Sequence, residues 1–254
     1  MSKTGSNPAK SLAVAFDDML DRLESSFKRL SQFSADIAHE LRTPVANIRG
    51  EAEVALTRPR TSSEYKEVIE SNVAESERLS GIIDNLLFLA RAESAASTIQ
   101  QALFDGRAEV SKIASFYETI AEEQNITITC AGEGNVYADP ILFGRAMSNL
   151  VENALRFTPN GGNILISIAA RSNESEVSVK DTGSGIAGEH IAHVFDRLYR
   201  VDASRSSEGA GLGLSLVKSI TDLHGGSARV QSELNRGTTV TLTFPNQLRA
   251  KDGG

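Results

Sequence analysis

The 254-residue sequence holds a single cysteine, Cys130. No disulfide can form within the chain, which suits a reducing compartment. Cys130 closes the alternating run 126–130 (Ile-Thr-Ile-Thr-Cys) and reads as a small, half-buried hydrophobe. No stretch approaches the ~20 apolar residues needed to span a bilayer. The longest apolar patch, 81–90, is interrupted by Asp84 and Asn85, and residues 1–10 lack the apolar core of a signal peptide. Basic residues are outnumbered, 26 against 33 acidic, giving a net charge of -7, and there is no basic stripe of the kind a nucleic-acid binder needs. Internal repeats and low-complexity tracts are also absent, as are the P-loop pattern and the G-x-G-x-x-G dinucleotide fingerprint. The composition is that of an ordinary globular chain, 40% hydrophobic and 23% charged, long enough to bury a core of its own.

The first hundred residues carry helical periodicity. Phe16, Leu20, Leu23, Phe27 and Leu30 are spaced by alternating steps of four and three, the signature of a coiled-coil seam, which continues through Ser34, Ile37 and Leu41. Pro59 ends this pattern, and Thr61 with Glu64 three residues later forms a capping box that starts a second helix. Tyr65, Ile69, Val73, Leu79, Ile83, Leu86 and Ala90 lie on one side of that helix, which is expected to run to about residue 95. Two long helices joined by a short break predict an antiparallel hairpin. Its apolar stripe needs a cover, so a homodimer with a four-helix bundle is expected.

Small polar residues at 94–97 mark a linker, and the texture then changes to short strand and helix signals in turn. Strands are expected at 126–130, 164–170, 176–180, 227–232 and 238–244, and helices at 107–123, 140–157, 188–194 and 212–224. This predicts a layered α/β domain with a mixed sheet. The chain is therefore multidomain, α followed by α/β. The expected parts are an N-terminal coil over 1–30, a helical domain over 31–97, an α/β domain over 98–248 and a disordered tail over 249–254.

Four segments carry candidate chemistry. The first, 34–44, reads Ser-Ala-Asp-Ile-Ala-His-Glu-Leu-Arg-Thr-Pro. His39 has an ordinary pKa of about 6.5, so its neutral ring can act as a nucleophile near neutral pH. Thr43, at i+4, shares its helical face, whereas Glu40, at i+1, is rotated by roughly 100°. Pro44 removes the backbone donor that would bond the Glu40 carbonyl and should bend the helix, at a cost of about 3 kcal/mol. Taken alone, a histidine in such a place is more often an ordinary surface residue. In the second segment, 149–159, Asn149 and Asn153 project from one face with Arg156 nearby. Amide oxygens suit Mg²⁺ and arginine suits phosphate, though a polar solvent face has the same pattern. The third, Asp181 to Ile186, follows a strand, and Gly183 and Gly185 let a ligand approach the backbone, or simply make a tight turn. The fourth, Gly209, Gly211, Leu212, Gly213 and Leu214, feeds a helix N-terminus in the manner of an anion cradle. The polar stretch 189–208 before it reads as a lid.

Taken in order, these segments resemble the boxes of the sensor histidine kinases over nearly the whole chain. Residues 34–44 resemble the H-box, 149–159 the N-box, 181–186 the G1 box, 195–200 (Phe-Asp-Arg-Leu-Tyr-Arg) the F-box and 209–214 the G2 box. Residues 11–30 are similar to the last helix of a HAMP signalling module, and the H-box neighbourhood resembles the bacterial heavy-metal sensors. His190 and His193, beside the F-box, read as surface residues rather than metal ligands.

The resemblance implies a dimeric four-helix bundle followed by a two-layer α/β sandwich of the Bergerat ATP-binding type, shared with gyrase and heat-shock-chaperone ATPases. It implies that His39 is phosphorylated from ATP, with Glu40 as base and Thr43 placing water in a reverse phosphatase reaction. It further implies that Asn153 holds Mg²⁺ with Asn149 close by, and that Asp181 binds the adenine amine in a loop completed by Gly183, Gly185 and Ile186. Arg156, Arg200 and Arg205 would reach the phosphates, Phe157 and Tyr199 would line the site, and Gly209, Gly211, Leu212, Gly213 and Leu214 would form the closing cradle. The ATPase relatives carry a water-activating glutamate near the start of the N-box helix, where this sequence has Asn149. The implied partner is the receiver domain of a response regulator. The resemblance also implies an excised cytoplasmic core whose parent sits in a bacterial inner membrane, with transmembrane helices ahead of it. Two further readings stay open at this point: a conformational ATPase that releases free phosphate, and a degenerate kinase acting as a dimeric scaffold.

Overall fold

A computed structural model of the chain describes residues 8–92, 99–200 and 211–246. The chain divides into two compact units, Met1–Ser80 and Gly81–Gly254. In the first, α1 (Pro8–Leu56) runs without interruption through Pro44. It ends where the Val54 carbonyl accepts hydrogen bonds from Thr57 Oγ1 (2.7 Å) and the Arg60 guanidinium (3.2 Å). The expected capping box then opens α2 (Ser62–Ala92): the Thr61 N–H donates to Glu64 Oε2 at 2.8 Å, and the Glu64 N–H donates back to Thr61 Oγ1 at 3.2 Å. Asn47 reaches Glu75 and Ser71 reaches Glu51. Advancing along one helix while retreating along the other makes the pair antiparallel, as predicted. Phe16, Leu23, Phe27, Ile69 and Val73 are all exposed, so these positions of the hairpin's apolar stripe are uncovered among the described residues.

The second unit begins in the last turns of α2. It continues through β1 (Ala102–Asp105), α3 (Gly106–Phe116), α4 (Glu118–Glu123), β2 (Thr127–Glu133), β3 (Asn135–Ala138) and α5 (Pro140–Phe157). The remaining elements are β4 (Asn163–Ala170), β5 (Glu174–Asp181), α6 (Gly188–Ile191), α7 (Gly213–Leu223), β6 (Ser227–Glu233) and β7 (Gly237–Pro245). Five strands form one sheet in the order β2-β4-β5-β7-β6, and β1 pairs with β3 apart from it. β2 and β4 are parallel and the other pairs antiparallel, which is the mixed sheet expected. Strand alternation buries Ile164, Ile166, Ile168, Val177, Val179, Leu242 and Phe244 beneath the helices. Against them α5 packs Phe143, Met147, Leu150 and Val151, and α7 packs Leu216, Val217 and Ile220. Cys130 is half-buried against this core, and burial pushes its thiol pKa up.

Some expectations needed correction. The helix expected over 107–123 is broken at Tyr117, whose N–H is shared between the Ile113 and Ala114 carbonyls. The Tyr117 ring is buried and its hydroxyl donates to Glu152 Oε1 at 2.6 Å. Burial of the ring, and after it the contact with Glu152, raise the phenol pKa well above its ordinary value. The helix expected over 188–194 covers only Gly188–Ile191, after which tight i−3 bonds at His193 and Asp196 replace helical ones. β1 and β3 were not anticipated, because four residues are too few for a period to show. The tail at 249–254 lies outside the described residues.

Candidate functional site

α5 and α7 bring two of the sequence segments together. On α5 the buried stripe runs Phe143, Ala146, Met147, Leu150, Val151, Ala154, Leu155, and Asn149 and Asn153 flank it at half-exposed positions. Asn149 Nδ2 donates to the Arg145 carbonyl at 2.9 Å, which fixes the amide. The start of α7 comes so near that a β-carbon on Gly213 would stand 3.1 Å from Asn149 Oδ1 and 3.3 Å from Asn153 Nδ2. Only a residue without a side chain fits there easily, so the α7 N-terminus, with its exposed backbone donors, faces two amides.

Asp181 ends β5 in phase with Val177 and Val179, so its carboxylate points to the helix side of the sheet and is only 8% exposed. Its Oδ1 accepts from the Gly183 N–H at 2.8 Å and the Thr238 N–H at 3.1 Å. Burial raises its pKa, and these backbone donors partly offset the rise. The loop that follows is clamped from both sides. The Ser184 N–H donates to the Phe157 carbonyl (3.1 Å) at the end of α5, and the Asn235 N–H donates to the Ser184 carbonyl (2.7 Å). The Ile186 N–H donates to Ser232 Oγ at 2.8 Å. Gly185 has φ 66°, and a β-carbon there would collide with the Glu233 carbonyl.

The structure thus brings together Asn149, Asn153, Phe157, Gly183 and Gly213. Phe157 is half-exposed, and its carbonyl lies 2.5 Å from where a Gly183 β-carbon would be. Arg156 and Arg200 are engaged in contacts of their own. The Leu198 N–H donates to the Gly211 carbonyl at 3.0 Å, while Leu212 is buried and its carbonyl accepts from Ser215 Oγ at 2.9 Å. Leu214 is half-buried against the core. The Tyr199 hydroxyl meets His190 Nδ1 at 2.8 Å, and His193 Nδ1 meets Asp196 Oδ2 at 2.9 Å. Arg205 and Gly209 lie outside the described residues. His39, Glu40 and Thr43 belong to α1 in the other unit. Glu40 is half-buried and Thr43 exposed, while the side chain of His39 lies outside the described set.

Comparison with known proteins bears directly on this pocket. Residues 138–248 match the family described as "Histidine kinase-, DNA gyrase B-, and HSP90-like ATPase", and residues 29–95 match the "His Kinase A (phospho-acceptor) domain". Sensor protein IrlS of Burkholderia pseudomallei is 45% identical over 242 residues, 94% of this chain and 52% of that protein. Sensor histidine kinase CusS of Escherichia coli is 39% identical over 237 residues, 92% of this chain and 49% of that protein. The chain belongs to the sensor histidine kinase family. The chain spans about half the length of the curated relatives it matches. Among solved structures, full-length ShkA in complex with AMPPNP aligns with TM-score 0.64 at 27% identity, covering 85% of this chain and 45% of that chain. Histidine kinase ThkA in complex with response regulator protein TrrA aligns with TM-score 0.69 at 22% identity, covering 92% and 66%, a likeness of fold.

The sequence pattern alone did not mark the β6–β7 hairpin as part of the site. Ser232, Asn235, Gly237 and Thr238 all support the Asp181 loop. A signal was present: Asn-Arg-Gly at 235–237 separates two alternating runs, and both Asn235 and Gly237 have positive φ, at 61° and 104°.

Proposed function

We propose that the chain is the catalytic core of a sensor histidine kinase that uses ATP to phosphorylate His39 and then transfers the phosphoryl group to an aspartate of a response-regulator receiver domain. The observation that carries this reading is the convergence of Asn149, Asn153 and Gly213 beside the Asp181 loop, in a chain that also matches the phospho-acceptor domain around His39. The residues fit the nucleotide and metal. Gly213 lets the start of α7 come close to the Asn149 and Asn153 amides, amide oxygens are donors Mg²⁺ accepts, and a buried carboxylate can accept from an exocyclic amine. ShkA, related in sequence and fold, was crystallised with an ATP analogue.

ATP with Mg²⁺ supplies the γ-phosphoryl group. A His39 ring nitrogen attacks phosphorus, a P–N bond forms as the bond to the β–γ bridging oxygen breaks, and ADP departs. Glu40 takes the ring proton. Asn153 offers its amide oxygen to the metal, Asp181 orients the base, and Arg156, Arg200 and Arg205 offset phosphate charge. Asn149, with a neutral amide already bonded to the Arg145 carbonyl, cannot deprotonate water, which favours His39 as acceptor over hydrolysis. Thr43 places a water for the reverse, phosphatase reaction on the regulator. The uncovered stripe of α1 and α2 supports a homodimer, and the exposed flank near His39 is the docking face for the regulator. On this reading the full-length protein belongs in a bacterial inner membrane.

The test is incubation with Mg²⁺ and γ-labelled ATP. Protein-bound label should be acid-labile and base-stable, and His39→Gln should abolish it while nucleotide still binds. Persistent label in His39→Gln would refute the assigned nucleophile. Free phosphate without protein-bound label would establish the ATPase reading instead.

A further inference from the structure

We propose that His224 is a positioning residue for nucleotide binding: by tying the end of α7 to the start of α5, it sets where Gly213 stands against Asn149 and Asn153. The inference rests on reading that pocket as the nucleotide site, and none of the sequence segments singled out above contains His224.

α5 and α7 touch at both ends. The start of α7 meets the second half of α5 through Gly213, Asn149 and Asn153. Just past the other end of α7, His224 meets Asp139, the residue that caps α5. The two helices therefore run in opposite senses, and whatever holds the His224 end limits how far α7 can slide or tilt at the Gly213 end. Between these contacts, Leu216, Val217 and Ile220 supply apolar packing, which has little direction of its own.

The bond at His224 is directional and uses both ring nitrogens. The Asp139 N–H donates to Nε2 at 2.9 Å, so Nε2 carries no proton. Nδ1–H donates to the Ile220 carbonyl at 2.7 Å. The ring is 6% exposed and meets Phe244 of β7 edge-on, with centroids 5.6 Å apart. Only the neutral ring satisfies this arrangement, since a proton on Nε2 would confront the Asp139 N–H.

The groups around the ring can be named element by element. From the start of α5 comes the Asp139 carboxylate, already accepting from the Ile141, Leu142 and Gln100 N–H groups. From β7 comes the uncharged Phe244 ring. Its own helix offers the Ile220 carbonyl, while Asp222 is paired with Lys218 at 3.1 Å. Burial lowers the His224 pKa, and the Ile220 bond and the Asp139 charge offset only part of this. The staple is therefore closed at neutral pH. It opens on acidification below the ordinary histidine range, when the ring takes up a proton and the Asp139 N–H loses its acceptor.

His224→Gln tests this without removing the acceptor, because the glutamine amide oxygen can reach the Nε2 position and does not titrate. His224→Ala removes both bonds. The readout is the affinity for AMPPNP with Mg²⁺ by calorimetry on the full chain, in steps from about pH 7.5 down to about pH 4.5, through and below the ordinary histidine pKa, below each variant's melting midpoint. Near pH 7.5, His224→Ala should bind about tenfold more weakly, the scale of one lost buried hydrogen bond, with KM for ATP raised and kcat little changed. His224→Gln should bind like wild type. On acidification wild type should lose affinity several-fold more than His224→Gln, with the nucleotide's own titration common to both. Equal pH dependence in wild type and His224→Gln would overturn the proposal even if His224→Ala fails to fold, as would wild-type affinity in folded His224→Ala. Wild type that binds AMPPNP but transfers nothing to His39 would sink the proposed function and leave this inference standing. Wild type that does not bind AMPPNP would sink both.

Discussion

Gly213 stands against Asn149 with no room between them for a side chain: a β-carbon on the glycine would lie 3.1 Å from Asn149 Oδ1. That closeness separates stability from binding. Gly213→Ala places a better helix former in the first turn of α7, a gain of up to about 1 kcal/mol in an unconstrained helix. The same methyl group pushes the Asn149 and Asn153 amides aside by a few tenths of an ångström. The melting temperature should hold or rise slightly, while AMPPNP affinity falls roughly tenfold. Unchanged affinity in calorimetry would mean that these amides do not face the nucleotide.

How much of this pocket could be read from the sequence depended on how local each determinant was. Asn149 and Asn153 were legible because helical spacing alone puts them on one face. The Thr61–Glu64 box was legible because its partners are three residues apart. Asp181 was only half legible: the alternation Val177, Val179, Asp181 puts its carboxylate on the covered face, but its donor Thr238 is 57 residues away and belongs to another strand. At the Tyr117 break the side chain bonds Glu152, 35 residues on, a contact that local propensity cannot register. The same holds for His224, whose partner Asp139 is 85 residues earlier.

Asp181→Asn should stabilise the free protein and weaken nucleotide binding. The asparagine carbonyl can still accept from the Gly183 and Thr238 N–H groups. What is lost is a buried negative charge whose pKa is raised by desolvation. An aspartate with a raised folded pKa binds more protons folded than unfolded. Stability therefore falls as pH rises from its ordinary pKa to the raised one, and the penalty persists at neutral pH. The substitution removes that penalty, so melting at neutral pH should move up and the gap to wild type should close in acid. Binding of AMPPNP should drop sharply, since a neutral amide is the weaker acceptor for an amine. A lower melting temperature at neutral pH would contradict the sign argued here.

Within the second unit, Arg145 holds the last turns of α2 to α5. Its guanidinium lies over the Phe88 ring, 5.2 Å from the centroid, and donates to Asn85 Oδ1 at 2.8 Å. Leu89 beside it is fully buried. Arg145→Ala should cost about 1–2 kcal/mol through the lost stacking and hydrogen bond. It should also speed amide hydrogen exchange in residues 82–92 more than in the sheet. Arg145→Lys should recover little, because an ammonium cannot both stack flat and donate in the guanidinium geometry. Exchange spread evenly over the unit would show that Arg145 is not the clamp.

At the other end of α2, the reciprocal bonds between Thr61 and Glu64 satisfy donors the helix would otherwise leave open. Thr61→Ala removes the hydroxyl but keeps the backbone N–H, so half of the box persists. The expected cost is about 1 kcal/mol, read as a lower melting midpoint of the helical circular dichroism signal, and Thr61→Ser should restore it. The Thr61 N–H and hydroxyl both favour the Glu64 carboxylate and lower its pKa. A depressed folded pKa gives stability that is present above the ordinary glutamate pKa and is lost as pH falls through the lowered value. Thr61→Ala should flatten that acid limb in proportion to the donor it removes. An acid limb as steep as that of wild type would show that the hydroxyl contributes nothing to the cap.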